Sequence, residues 1–163
     1  MIADVTIVTA TVENRYPLLM ECIKSVHDQE VGPVDHLICT DYTRKGTSEV
    51  FNRILEIVKT EFILPLSDDD LLLPHHIKDM MERSEEGDII YGYPKVEGRR
   101  RSFQRRLQQP FSEDVLRKKN IIGVPMIRTE LVKSVGGYPM KIIQPLFKPY
   151  SLLFHISAFY IMV

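Results

Sequence analysis

Short apolar runs rich in β-branched residues alternate with segments of helical period through the first half of the chain, and this alternation limits the fold more than any other feature. The runs cover residues 4–9, 36–40, 62–66 and 88–93. Between them lie three stretches whose apolar residues keep to one helical face. The first opens at Pro17 and carries Leu18, Leu19, Cys22, Ile23 and Val26. The second carries Val50, Phe51, Ile54, Leu55 and Val58, with Thr47 read as its N-cap. The third opens at Pro74 and carries Ile77, Met80 and Met81. Strand and helix in strict alternation predict an α/β fold, a mainly parallel sheet with helices on both faces. The near-continuous apolarity of the strands agrees, because such strands are buried on both sides.

Ligands of parallel sheets bind beyond the carboxyl ends of the strands. Asp68, Asp69 and Asp70 stand together at the exit of the third run, and Thr9 and Asp41 stand near the exits of the first two. Three adjacent carboxylates repel one another, so they call for either full solvation or a cation. A hard divalent cation that also meets phosphate oxygens is the commonest chemical reason to gather them at a strand end.

The rest of the sequence bounds the chemistry. At 163 residues with 44% apolar and 26% charged residues, the chain suits one globular domain. A net charge of −1 predicts no bulk attraction to nucleic acid or anionic membrane. Cys22 and Cys39 fall in apolar segments and read as reduced thiols, which, with no basic and apolar leader at the N-terminus, predicts a cytoplasmic protein. Five arginines between residues 98 and 106 read as a solvated loop or as a lid over an anionic substrate. Residues 112–119 read as a short helix with acids first and bases last, the order its dipole favours. A strand over 123–128 and a helix capped by Thr129 lead to Gly136-Gly137.

These residues resemble the family 2 nucleotide-sugar glycosyltransferases, which have the GT-A fold. Three segments in order carry the resemblance: Thr9 to Arg15, Glu61 to Pro74 with its acidic triplet, and Asn120 to Tyr138 ending in Gly-Gly-Tyr. It covers about residues 4–139, so 1–139 is read as the GT-A domain and 140–163 as an apolar tail outside the family pattern. The resemblance implies a nucleoside diphosphate sugar donor and a Mn or Mg cation held at a DxD-type motif. Asp69 would be the chief metal ligand, with Asp68 on the ribose or the metal and Asp70 in support. Asp41 would meet the base, Thr9 and Thr11 would line the base and ribose pocket, Arg44 would reach the diphosphate, and Asn52 matches an asparagine on the helix before the metal strand. Thr11 departs from the pattern, standing where many members have a base-stacking aromatic. The stretch from Asp41 to Asp68 also lacks a strand that many members have.

An inverting transfer needs a carboxylate to take the acceptor's proton. The family places it downstream of the Gly-Gly-aromatic turn, yet no Asp or Glu follows Glu130. The catalytic base is therefore unassigned, and the acceptor is unknown. The 140–163 segment reads as a shifted frame or a truncated product. It reads alternatively as a genuine apolar tail giving weak membrane contact through 150–163, in a non-catalytic nucleotide-sugar-binding module. Those last 14 residues are short of the ~20 a spanning helix needs. A phosphatase-type aspartate site ranks lower, because Leu71-Leu72 follow the triplet.

Overall fold

The structure, a computed structural model, describes residues 4–92, 124–138 and 160–162. In chain order the elements are β1 (Val5–Thr11), α1 (Tyr16–His27), β2 (Asp35–Thr40), α2 (Thr47–Leu55), β3 (Phe62–Pro65), α3 (His76–Met81), β4 (Ile89–Tyr91), β5 (Met126–Arg128), α4 (Thr129–Ser134) and β6 (Tyr160–Met162). The basic loop at 98–106, the short helix at 112–119 and His155 lie outside the described residues.

One sheet runs in the order β2-β1-β3-β5-β4-β6. β1 pairs in parallel with both β2 and β3, and β6 pairs in parallel with β4. Only β5 is reversed, antiparallel to β3 on one side and to β4 on the other. The expected mainly parallel α/β sheet is thus present, and the tail contributes the backbone of Tyr160–Met162 to it.

Period-two alternation sorts the strand side chains onto two faces. Val5, Ile7, Phe62, Leu64, Ile90 and Met126 pack with Cys22 and Val26 of α1 and Ile77 and Met80 of α3. Val8, Ile63, Ile89 and Ile127 pack on the other face with Val50, Phe51 and Ile54 of α2 and Val132 of α4. Each face is therefore covered by two helices, and β1, β3, β4 and β5 each carry buried apolar residues on both sides, whereas the edge strand β2 leaves Ile38 exposed. Cys22 is buried and Cys39 half-buried, both as free thiols. Burial raises the Cys22 pKa.

Two helix starts differ from expectation for the same reason. Thr47 and Thr129 are the first helical residues, not caps, and neither Gly46 nor Arg128 before them makes a side-chain capping bond. Gly46 takes φ +99, a conformation that suits a residue without Cβ, and so turns the chain sharply from the Asp41 loop into α2. The third helix begins at His76, after a turn through Pro74 and His75, and not at the proline itself.

The edge of the sheet remote from the aspartates is stitched by Arg128. Its guanidinium pairs with Glu61 and with Asp88 Oδ1 at 3.2 Å, donates to the Ser84 carbonyl at 3.3 Å, and lies over the Phe62 ring. One side chain thus ties together the starts of β3 and β4. The opposite edge is left to the polar loops.

Candidate functional site

Asp68 is the centre of the polar edge. β3 ends at Pro65 and the backbone continues in register long enough for Leu66 N to donate to Val8 O at 2.9 Å. That continuation buries Leu66 and carries Asp68 against the end of β1. Thr11 Oγ1 donates to Asp68 Oδ2 at 2.7 Å. Arg15 Nε donates to both Asp68 oxygens, at 3.0 and 2.9 Å, and its Nη2 lies 2.8 Å from Oδ1. The same Nη2 lies 2.8 Å from Asp69 Oδ2, so one guanidinium nitrogen bridges two carboxylates.

Burial separates the two aspartates. The Asp68 side chain is 7% exposed and that of Asp69 is 52% exposed. A carboxylate taken out of water needs partners for its lone pairs, and Thr11 and Arg15 supply them to Asp68. Asp69 keeps access to solvent and hence to a ligand. Asp70 is exposed and closes the turn, its N donating to Ser67 O at 3.1 Å. Hydrogen bonds donated to Asp68 and then to Asp69 push the Arg15 pKa above its already high ordinary value, so its charge is permanent. Asn14, left-handed at φ 73, makes the turn that brings Arg15 back over the aspartates.

Asp41 organises the neighbouring loop. Its Oδ2 accepts from Gly46 N at 2.7 Å, and its Oδ1 accepts from Lys45 N and Thr43 Oγ1, both at 3.2 Å. The Gly46 amide is the main cause that holds the Asp41 carboxyl below its ordinary range. The carboxylate thereby folds residues 41–46 into a tight turn, with no strand between β2 and β3. Arg44 sits exposed at the crest of this turn at φ 55, an uncommon conformation for a residue with a side chain.

Thr9 and Asn52 have other partners. Thr9 is wholly buried, two residues before the end of β1, and its hydroxyl lies 2.9 Å from His36 Nε2. Asn52 Nδ2 donates to the Tyr138 carbonyl at 2.8 Å, while its Oδ1 accepts from Tyr138 N at 2.7 Å. That pair clamps the Gly136-Gly137-Tyr138 turn to α2. The structure therefore brings together Thr11, Arg15, Asp68 and Asp69, sets Asp41 and Arg44 on the adjoining loop, and uses Thr9 and Asn52 to hold the scaffold.

Two residues that sequence patterns passed over support the site. Arg15 is one; a lone arginine in a loop has no periodic signal. Gln29 is the other. It is buried at the end of α1, donates to the Leu73 carbonyl at 2.8 Å and accepts from Ile77 N at 3.0 Å. With Ser25 Oγ accepting from Leu72 N at 3.2 Å, it pins the chain just after the aspartates.

Burial also lowers two histidines, His36 and His76, to about 4. Their unfolded values lie near 6.5, so the unfolded chain binds more protons between those limits. Stability is then fully present above pH 6.5 and falls as the pH drops toward 4. Thermal unfolding followed by circular dichroism at pH 7.5, 5.5 and 4.5 should give a falling midpoint, with a shallower slope in His36→Gln. A midpoint that stays flat over this window would contradict the assignment.

Oxygen donors at Asp69 and Asp70 suit Mg²⁺ or Mn²⁺ in chemistry. Among the described residues, however, no three carboxylate, imidazole or thiol side chains gather as a metal site. Arg15 Nη2 stands 2.8 Å from the Asp69 oxygen that such an ion would take.

No protein-family model matches the chain, and no curated protein matches it in sequence. Solved structures match its fold. The TarS structure from S. aureus aligns with TM-score 0.75 over 98% of this chain and 35% of its own, at 15% identity. TarS 1-349 in complex with UDP-GlcNAc aligns with TM-score 0.69 over 98% of this chain and 58% of its own, at 14% identity. The mannosyltransferase PcManGT from Pyrobaculum calidifontis, in complex with GDP-Man and Mn²⁺, aligns with TM-score 0.62 over 87% of this chain and 49% of its own, at 14% identity. At this identity the likeness establishes the fold: the chain has a GT-A-like architecture shared with glycosyltransferases. It spans between 35% and 58% of the length of these three structures.

Proposed function

We propose that this chain is the donor-binding part of a family 2 type glycosyltransferase, binding a nucleoside diphosphate sugar at the edge formed by Thr11, Asp41 and Asp68 to Asp70. The observation that carries this reading is the Thr11–Asp68 contact at the carboxyl end of a GT-A-like sheet, with a solvent-open Asp69 beside it. Among the fold neighbours, TarS was solved with UDP-GlcNAc and PcManGT with GDP-Man and Mn²⁺, which supports a donor of this class.

In this reading Asp69, backed by Asp70, holds a Mn or Mg ion against the donor diphosphate. When bound, that ion acts as a Lewis acid for the departing nucleoside diphosphate. Asp68 stays buried and fixes the loop through Thr11 and Arg15, where it also faces the ribose. The rigid Asp41 turn presents its backbone and Arg44 toward the nucleotide. The acceptor side lacks an assigned base, since no carboxylate follows Glu130. The chain is therefore expected to bind donor while transferring sugar poorly or not at all. Among the described residues no helix is long and apolar enough to cross a membrane.

Calorimetric titration of UDP and of GDP, with and without Mn²⁺, tests the proposal. Metal-dependent binding that weakens at least about tenfold, or ~1.4 kcal/mol, in Asp69→Ala is the expected result. Binding of neither nucleotide, or identical binding by Asp69→Ala, would refute it. Robust sugar turnover by the purified chain would refute the impaired-transfer part alone.

A further inference from the structure

We propose that Arg15 is the resident counter-ion of the acidic triplet, excluding a divalent cation from the free chain and giving up Asp69 only when a diphosphate arrives to take its guanidinium. This deepens the donor-site reading above and rests on it for the identity of the diphosphate.

The geometry places the competition at particular atoms. A cation on Asp69 would approach Asp69 Oδ2, where Arg15 Nη2 already lies at 2.8 Å while it also meets Asp68 Oδ1 at 2.8 Å. A guanidinium and a divalent ion in that space would repel each other strongly. The charge of Arg15 cannot be relieved by deprotonation, because a guanidinium stays protonated in proteins. Arg15 must therefore move for a metal to enter.

The structure allows that movement and limits it to the side chain. Arg15 is 36% exposed, so its outer end borders solvent. Its backbone is fixed, since its carbonyl accepts from Leu19 N at 3.0 Å in the first turn of α1. Asp68 would keep its Thr11 bond throughout. A guanidinium fork binds phosphate oxygens as readily as carboxylates. A diphosphate offers Arg15 a partner of higher charge than Asp69 and leaves Asp69 to the metal. The two ligands then favour each other, and by linkage each raises the other's affinity by the same factor.

Electron paramagnetic resonance of free Mn²⁺, titrated with the folded full chain, reads this without any activity. The wild-type chain should bind Mn²⁺ weakly alone, and Arg15→Gln at least about tenfold more tightly, within the range usual for coupled sites. Adding UDP should tighten Mn²⁺ binding more in the wild type than in Arg15→Gln, where only direct coordination by the diphosphate remains. Arg15→Lys, which keeps the charge without the fork, should fall between them. Equal Mn²⁺ affinity of wild type and Arg15→Gln in the absence of nucleotide would overturn the exclusion. An equal effect of UDP on both would overturn the exchange. If UDP fails to bind at all, the donor reading fails, while the comparison of Mn²⁺ affinities without nucleotide still decides whether Arg15 excludes the ion. Circular dichroism confirms that each variant is folded, and Arg15→Ala serves where Arg15→Gln is not.

Discussion

Asp68→Ala should lose nucleotide binding and also unfold more easily, the largest combined effect expected of a single change in the candidate site. The buried carboxylate satisfies the Thr11 hydroxyl and receives both arms of Arg15. Removing it leaves a buried hydroxyl without its acceptor, which costs about 1–3 kcal/mol. It also releases Arg15 from the orientation that presents it to the site. Asp68→Asn keeps an oxygen for Thr11 and should recover part of the stability without recovering binding. Thr11→Val tests the converse, leaving Arg15 on Asp68 while deleting the hydroxyl. UDP titration together with thermal melts of the three variants checks this. An unchanged midpoint in Asp68→Ala would show that the buried cluster contributes nothing to the fold.

The second large effect lies at the clamp between α2 and the Gly-Gly-Tyr turn. Asn52→Ala removes two hydrogen bonds and strands a backbone amide and carbonyl of Tyr138. The expected loss is about 2–3 kcal/mol, or roughly 5–10 °C in melting midpoint for a domain of this size. Gly137→Ala attacks the same clamp from the other side. Gly137 has φ +85, and a Cβ there would lie 2.4 Å from Asn52 Oδ1. The added methyl would strain the left-handed backbone by about 1–2 kcal/mol and drive the amide off its partners. Because both changes break one contact, the double variant should cost less than the sum of the singles. Strict additivity of the melting free energies would mean that the clamp does not act as a unit. Tyr138 also packs its ring against Phe51 at 5.3 Å, so the turn retains an apolar anchor when the clamp is cut.

Much of the architecture could be read from local pattern, and the reason is physical. Strands buried on both faces must be apolar throughout, so 4–9 and 62–66 announce β1 and β3 within two residues of their observed ends; 36–40 announces β2 as closely, although this edge strand is only half-buried. Helices α1 and α2 announce themselves through one-sided apolar spacing, confirmed by the burial of Leu19, Cys22 and Val26 and of Val50, Phe51 and Ile54. The acidic triplet was readable because it follows a strand, and a strand end has a known relation to the crevice.

The partners of these residues were not readable. Thr11 and Asp68 are 57 residues apart, and Asn52 and Tyr138 are 86 apart. Contacts at such separation leave no periodic mark. Thr9 illustrates the limit: it stands close to the strand end in sequence, yet the pleat directs its hydroxyl to His36 inside the sheet. Asn52 illustrates it again, with its amide bound to the Tyr138 backbone. Arg15, the residue on which the site's electrostatics turn, stands in a loop 53 residues from Asp68, where neither helical nor strand period marks it.

The reversed strand β5 has a consequence for how the molecule comes into being. β3 and β4 are consecutive in the chain but never touch; Met126–Arg128 lies between them. Until that strand has been synthesised, Phe62 and Ile63 have no neighbour on one side, and Ile89 and Ile90 lack theirs as well. A nascent chain on the ribosome thus carries two apolar strand edges open to pairing with other chains. Assembly of the sheet waits on a three-residue segment delivered late, and the Arg128 contacts that follow secure it only after it has arrived.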